Sequence, residues 1–295
     1  TYTPLVSVIV PNYNKEIHIT SCINSVLNQS YKHLEIIFID NFSTDSSIEI
    51  IKGINDKRIN IIQYNNKGVI ASSRNVGIKN SKGELLAFLD SDDYWHENKL
   101  LESIKAIHKG ADITYHDFFI YKKYKNISKT TNTRLRCKKL SSPIYFNLLN
   151  DGNTIINSSV VVRKDMFLKS GCFNENPNLT SIEDYEAWIR FSKLSEKFTY
   201  ISKPLGYLFS GDTNTSNSAK LTLKSSETLL SMYKNDIENL QIKPNHLYYK
   251  IIVANYKLKR YEKSLKTFFI LDFLNLESSL KLKSTLIFIH SFFFF

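Results

Sequence analysis

Leu85-Leu86-Ala87-Phe88-Leu89-Asp90-Ser91-Asp92-Asp93 runs five apolar residues into three carboxylates within four positions. A continuous apolar run of that length reads as a strand buried on both faces. The carboxylates then fall at its C-terminal end, where open α/β sheets bind their ligands. Carboxylates this close repel one another unless something cationic sits among them. A hard divalent ion with oxygen ligands fits, and Mg²⁺ or Mn²⁺ is commonly held together with substrate phosphates. The plain alternative is a polar loop in which Asp93 caps a helix starting near Glu97.

Working outward, the same pattern repeats upstream. Leu5 to Val10 is an apolar, β-branched strand ended by Pro11-Asn12-Tyr13-Asn14. An amphipathic helix is expected from about Glu16 to Asn28, with Ile19, Ile23, Val26 and Leu27 on one face. Glu35 to Ile39 is a second buried strand ending at Asp40-Asn41, and Ser43 can cap the helix that follows. Arg58 to Tyr64 reads as a third strand, Gly68 opens a helix, and Gly83 turns the chain into the central strand. This is β-α-β-α-β-α-β, with crossovers long enough to keep the strands parallel. Asp112 to Tyr115 reads as a fifth strand.

Downstream, residues 120 to 142 are basic and polar without clear period and read as a connection. Val160 to Val162 is a strand, Lys164 to Lys169 a short helix and Ile182 to Leu194 a longer one. Phe198 to Phe209 suggests two short strands around Pro204, and everything after Ser218 reads as helical.

The totals point to anionic partners. The chain has 295 residues, 42% of them hydrophobic, and a formal net charge of +11. A basic surface suits nucleotide phosphates, nucleic acid or an anionic membrane. Cys22, Cys137 and Cys172 are far apart and odd in number, so neither a disulfide framework nor a metal spacing is expected. The first residues carry no charged segment followed by an apolar run, so no signal peptide is expected. No apolar run reaches the ~18 to 20 residues of a transmembrane helix.

The motifs in order are Val8-Ile9-Val10-Pro11-Asn12-Tyr13-Asn14, Ile39-Asp40-Asn41-Phe42-Ser43-Thr44-Asp45, Ser73-Arg74-Asn75-x-Gly77, Phe88-Leu89-Asp90-Ser91-Asp92-Asp93 and Glu183-Asp184. Together they resemble the family 2 glycosyltransferases over roughly residues 4 to 215. That resemblance implies a GT-A fold, a Rossmann-like and mostly parallel sheet flanked by helices, and a nucleotide sugar donor with Mn²⁺ or Mg²⁺. It also implies residue roles. Tyr13 stacks on uracil with Pro11 shaping the same wall, and Asp40 and Asn41 read the base. Asn41 departs from the second acid usual at that place. Arg74, Asp90 and Ser91 lie near the donor, Asp92 holds the metal, and Asp184 is the catalytic base supported by Glu183. Asp212, in Gly211 to Ser216, is a further metal candidate where a loop often closes over the diphosphate. The bland readings are that Asp40 only organises the Ser43 turn and that Ser181-x-x-Asp184 is a capping box.

The expected organisation is a catalytic domain over 1–218, divided near residue 115 into a nucleotide-binding half and an acceptor half, with a basic helical extension over 219–295. From Gln241 on, nine basic residues face three acids, interleaved with aromatics. Interfacial helices combine charge and Phe/Leu faces in this way. The resemblance points to inverting transfer onto a surface-polysaccharide hydroxyl, free or lipid-linked, in the cytoplasm at the inner membrane of a bacterium. Rival readings are a sugar nucleotidyltransferase, which would want a Gly-rich basic loop after the first strand, and a non-enzymatic basic membrane-binding module. No nucleic-acid-binding motif is present.

Overall fold

The chain alternates strands and helices from its first apolar run. In order, the elements are β1 (Val6–Asn12), α1 (Glu16–Leu27), β2 (Leu34–Asp40), α2 (Ser47–Gly53), β3 (Ile59–Gln63), α3 (Ile70–Asn80), β4 (Leu85–Phe88), β5 (Tyr94–Trp95), α4 (Lys99–His108), β6 (Ile113–Tyr124), β7 (Ile127–Leu135), α5 (Ile144–Asp151), β8 (Val161–Arg163), α6 (Lys164–Lys169), α7 (Glu183–Ser192), β9 (Phe198–Phe209), α8 (Ala219–Met232), α9 (Lys234–Asn239), α10 (Asn245–Lys257), α11 (Tyr261–Phe268) and α12 (Ser278–Phe293). They are seen in a computed structural model that describes residues 2–124, 127–211, 218–273, 276 and 278–293.

Two compact units share the chain. The first takes residues 1–140, 154–175 and 190–211; the second takes 141–153, 176–189 and 212–295. The second unit thus draws in two stretches that lie before residue 218, as well as the C-terminal helices.

The first unit is one twisted sheet. Among the described residues it has nine strands in the order β3-β2-β1-β4-β8-β6-β9-β5, with β7 paired to β6. β3, β2, β1 and β4 run parallel, so their carboxyl ends share one edge. Asn12 there faces Asp40 in register, and Ile9 faces Phe88. β1, β2 and β4 are apolar because helices cover both faces, while β3 at the edge is only half-buried. Val6, Val8, Val10, Ile36, Phe38, Leu85 and Ala87 pack with Ile19, Ile23 and Val26 of α1 in one core. Helix α3 lies on β1 and β2. Gly77 allows that approach, since a Cβ there would meet Ile9 at 2.6 Å and Ile39 at 2.8 Å.

Beyond β4 the sheet departs from the sequence reading. Residues 120–142 are not a plain connection, because Ile113–Tyr124 and Ile127–Leu135 form an antiparallel pair. Phe198 to Phe209 is one strand rather than two, with register shifts where Asp117 faces Pro204. Proline offers no N–H to the ladder, so pairing is interrupted there without ending the strand.

The second unit is helical. Leu223 of α8 packs with Ile251 and Ala254 of α10. Ile252 packs with Leu271 and Leu276, against which Phe268, Leu280 and Ile287 also rest.

Candidate active site

The carboxyl ends of β1, β2 and β4 carry most of the expected site. Asp40 is fully buried at the end of β2. Its Oδ1 accepts from Asn12 Nδ2 at 2.9 Å and from Ser43 Oγ at 2.6 Å, and its Oδ2 accepts from Ser43 N at 2.9 Å. Asp40 therefore orders the turn after β2. Ser43 is committed to Asp40 and does not cap α2, whose N-cap is Ser46. Asn41, one residue on, is only half-buried. Its Oδ1 accepts from Asn66 N at 2.9 Å. Pro11 is buried inside β1, whereas Tyr13 stands out with 54% of its surface exposed. Phe42 is equally open, at 55%, with a positive φ of 52°. The sequence reading assigned Phe42 no role. Its only signal was a large aromatic inside a turn of otherwise small polar residues.

The acidic turn after β4 distributes its three carboxylates among three different partners. Asp90 Oδ1 pairs with Arg74 Nη2 at 2.8 Å. Arg74 is 3% exposed. With its amide turned so that the oxygen faces the guanidinium, Asn157 accepts from Arg74 Nε and Nη2 at 3.3 Å, and the Phe173 ring centre lies 5.3 Å from the guanidinium carbon. Asp92 Oδ2 pairs with Lys15 Nζ at 2.8 Å. Asp93 is buried and does not cap α4, which starts at Lys99 with Asn98 as its N-cap. Its Oδ2 accepts from Ser158 Oγ at 2.6 Å and its Oδ1 from Phe209 N at 2.9 Å. Burial pushes the Asp93 carboxyl well up, and the Asp92 and Asp90 charges push it further. Ser91 is buried beside them.

Aromatic side chains hold this turn from outside. The Tyr121 hydroxyl donates to the Asp92 carbonyl and lies 3.1 Å from His18 Nδ1. The His18 ring sits 4.4 Å from that of Phe209, and Tyr94 stacks on Tyr207 at 4.5 Å. Burial, then the Asp93 and Asp92 charges, raise the Tyr121 phenol above its usual range, so it stays a donor. Tyr121 lies in the stretch read from sequence as a connection. Lys15, Tyr121, Asn157 and Ser158 were all missed, because their relevance depends on contacts far apart in the chain.

The turn suits a divalent ion that arrives with phosphate. Among the described residues no three His, Cys, Asp or Glu side chains converge as a ready cage. Asp90 and Asp92 keep side-chain exposures of 33% and 20%, while Asp93 is closed off. One or two carboxylates completed by substrate phosphates is a common Mg²⁺ arrangement. Asp212 lies outside the described residues.

In the second unit, Glu183 and Asp184 open α7. The first i→i−4 bond runs from Glu186 N to Ile182 O, which makes Ile182 the N-cap residue. A capping box would need its acid at position 185, which is tyrosine, so the Ser181–Asp184 box is out of register. Glu183 is 6% exposed and Asp184 half-buried. Asp184 Oδ1 accepts from Tyr185 N at 2.7 Å. Tyr185 reaches the Leu148 carbonyl at 2.6 Å and His246 Nε2 at 2.9 Å. Burial lowers the Lys250 ammonium, and the nearby Asp184 charge works against that shift. Burial, with Lys250 adding to it, brings His246 down to about 4.

The profile of Glycosyl transferase family 2 matches residues 7–170. An uncharacterized glycosyltransferase of Rickettsia typhi is 30% identical over 278 residues, covering 90% of this chain and 83% of that one. An Escherichia coli enzyme described as UDP-Glc:alpha-D-GlcNAc-diphosphoundecaprenol beta-1,3-glucosyltransferase is 41% identical over 121 residues, 41% of this chain and 48% of that one. Among solved structures, a mannosyltransferase of Pyrobaculum calidifontis in complex with GDP-Man and Mn²⁺ aligns with a TM-score of 0.60 at 14% identity, covering 99% of this chain and 87% of that one. That likeness carries the fold, which is GT-A. With a parallel sheet ending in Asp40 and Asp90 to Asp93, a matching profile over more than half its length and a relative along nearly all of it, the chain belongs to glycosyl transferase family 2.

Proposed function

We propose that this glycosyltransferase is inverting and metal-dependent, and moves a sugar from a UDP-linked donor to a hydroxyl of a surface-polysaccharide acceptor carried on a lipid. The observation that carries the reading is the shared edge of β1, β2 and β4. It gathers an exposed aromatic, an amide, a buried arginine paired with Asp90, and the partly exposed carboxylate of Asp92 within one unit. Tyr13 offers a face to the base, and Asn41 offers donors to a pyrimidine carbonyl. Asp40 holds both in position through its turn. Arg74 fixes Asp90 for the ribose side, with Ser91 beside it. Mn²⁺ or Mg²⁺, held by Asp92 and the donor phosphates, would offset charge on the departing diphosphate. The donor class is supported by the UDP-Glc in the E. coli relative's name and by the GDP-Man of the Pyrobaculum complex. The diphosphoundecaprenol in the first name supports a lipid-linked acceptor.

The chemistry needs one proton acceptor. The acceptor oxygen forms a bond to the anomeric carbon as the carbon–oxygen bond to the diphosphate breaks, and that electron pair leaves with the nucleoside diphosphate. The hydroxyl proton passes to a carboxylate, because the hydroxyl is too weak an acid to ionise beforehand. Asp184 takes that role, supported by Glu183. In-line displacement inverts the anomeric centre.

The extension over 219–295 is proposed to rest on an anionic membrane surface at the cytoplasmic face. Leu282, Leu286, Ile289 and Phe293 recur on one face of α12 and are all exposed, as are Phe269 and Ile270 after α11. Lys281 and Lys283 flank that face. Among the described residues no helix is long and apolar enough to cross a membrane.

The deciding experiment incubates the protein and Mn²⁺ with a panel of UDP- and GDP-sugars and a lipid-linked saccharide. Transfer with inversion, dependent on metal, is expected from a UDP-sugar. Transfer that persists undiminished in chelator removes the metal from the reading.

A further inference from the structure

Lys15 stands between α1 and the acidic turn, and nothing in the family resemblance gave it a role. Its ammonium is the cation bound to Asp92, at 2.8 Å, in the position where the proposed function puts a divalent ion. The pair is only partly open to water, with side-chain exposures of 25% and 20%. The backbone around it is fixed. Lys15 N donates to Ser47 Oγ at 3.3 Å, Glu16 N to Asp45 Oδ2 at 3.0 Å, and Glu16 Oε2 accepts from Ser46 N at 2.8 Å. On the other side, the Tyr121 hydroxyl holds the Asp92 carbonyl. The side chains of the pair can part while both backbones stay.

We infer that Lys15 is an exchangeable counter-ion, which neutralises Asp92 when the donor is absent and must be displaced for a divalent ion to bind there. This rests on the proposed metal role of Asp92. The exchange has a physical purpose. A turn with three carboxylates needs positive charge to keep its shape, and Arg74 supplies it only to Asp90. A bare ion would have to evict a like charge held at contact distance. An ion arriving with a diphosphate brings the negative charge that compensates the released ammonium. Lys15 thereby makes metal and nucleotide bind together rather than separately, which is a coupling between two ligands.

The test measures Mn²⁺ alone, by electron paramagnetic resonance of the free ion, on the full chain and on Lys15→Met. An ion pair of this exposure contributes at most about 1 kcal/mol, so the variant should bind Mn²⁺ alone about fivefold tighter. The gain in UDP affinity on adding Mn²⁺ should shrink by the same factor. Lys15→Arg, which keeps the charge, should behave as the parent, and Lys15→Met with Asp92→Asn should lose the gain. Equal Mn²⁺ affinity in parent and Lys15→Met overturns the inference, and so does a variant that only melts earlier. Asp92→Asn alone separates the two levels. If it weakens Mn²⁺–UDP binding while Lys15→Met changes nothing, only the role of Lys15 falls. If it leaves Mn²⁺–UDP binding intact, the metal assignment falls with it.

Discussion

The two units keep their buried polar groups in different ways. In the first, carboxylates at strand ends meet cations and hydroxyls: Arg74 on Asp90, Lys15 on Asp92, Ser158 on Asp93. In the second, neutral phenols and an imidazole carry much of the load. Tyr185 bonds to Leu148 and His246, Tyr233 to Glu186 at 3.0 Å, and Tyr145 to Asp236 at 2.7 Å. Charge pairs can be exchanged for a ligand's charges, whereas a hydrogen bond from a neutral phenol, such as that of Tyr185 to the Leu148 carbonyl, cannot. The first arrangement suits a surface that must receive a polyanion. The second suits a helix start at which the proposed base, Asp184, would be held still.

The largest effect should break the comparison at Asp184. Asp184→Asn is expected to lower turnover by ~10² to 10⁴ with donor affinity nearly intact. Asp92→Asn should do the reverse, losing metal-dependent donor affinity, as calorimetry with Mn²⁺ can read. A variant at Asp184 that loses melting temperature but keeps its turnover would make the acid structural.

Next comes Asp40, whose two oxygens take three hydrogen bonds in a fully buried place. Asp40→Ala leaves buried donors unanswered and should cost about 3 kcal/mol in urea unfolding. Asn41→Asp, one residue away, should leave stability nearly unchanged and alter the preference between UDP and GDP. Unaltered preference would put Asn41 outside the base pocket.

The third prediction uses pH. Burial holds His116 of the first unit down to about 3 and His246 of the second down to about 4. Both are neutral when folded, while an unfolded imidazole protonates near pH 6.5. Their contribution is thus complete above that value and drains away as pH falls through 6.5 toward 4 and then 3. Each imidazole should remove about 1 kcal/mol per pH unit within its window. His246→Gln should flatten the slope that belongs to the second unit, and an unchanged slope would assign it to other groups.

The smallest effect on stability should come from the exposed face of α12. Leu286→Glu, at a residue 59% exposed, should shift the melting temperature by less than about a degree. It should nevertheless reduce sedimentation with anionic vesicles, and the basic residues should make what remains salt-sensitive. Equal sedimentation by parent and variant would remove this face from membrane contact.

Legibility in the sequence followed the same divide between local and distant causes. β1, β2 and β4 were readable because strands buried on both faces give continuous apolar runs such as Ile36 to Ile39. The acids at their ends were readable by position. The outer part of the β6–β7 pair was not, since residues 120 to 135 are basic and polar without an apolar run. Pro204 suggested a break that the sheet absorbs as a register shift opposite Asp117. Ser43 had the composition of a cap, yet a buried carboxylate three residues back claimed it. Lys15, Tyr121 and Ser158 carry no local signature at all.

The acidic turn also has a history in time. Asp92 is held by Tyr121, 29 residues later, and Asp93 by Ser158, 65 later, and by Phe209, 116 later. Each closure must wait until that part of the chain exists, and each pays the entropy of an ever longer loop. During synthesis, β1 to β4 can pair as soon as they emerge, but the turn cannot take its final form until residue 209 has been made. A nascent chain stopped at residue 115 would contain β1 to β4 and the three carboxylates but lack Tyr121, Ser158 and Phe209, which hold the turn. The edge proposed to bind the donor is begun early in translation, and its acidic turn is completed only once β9 is in place.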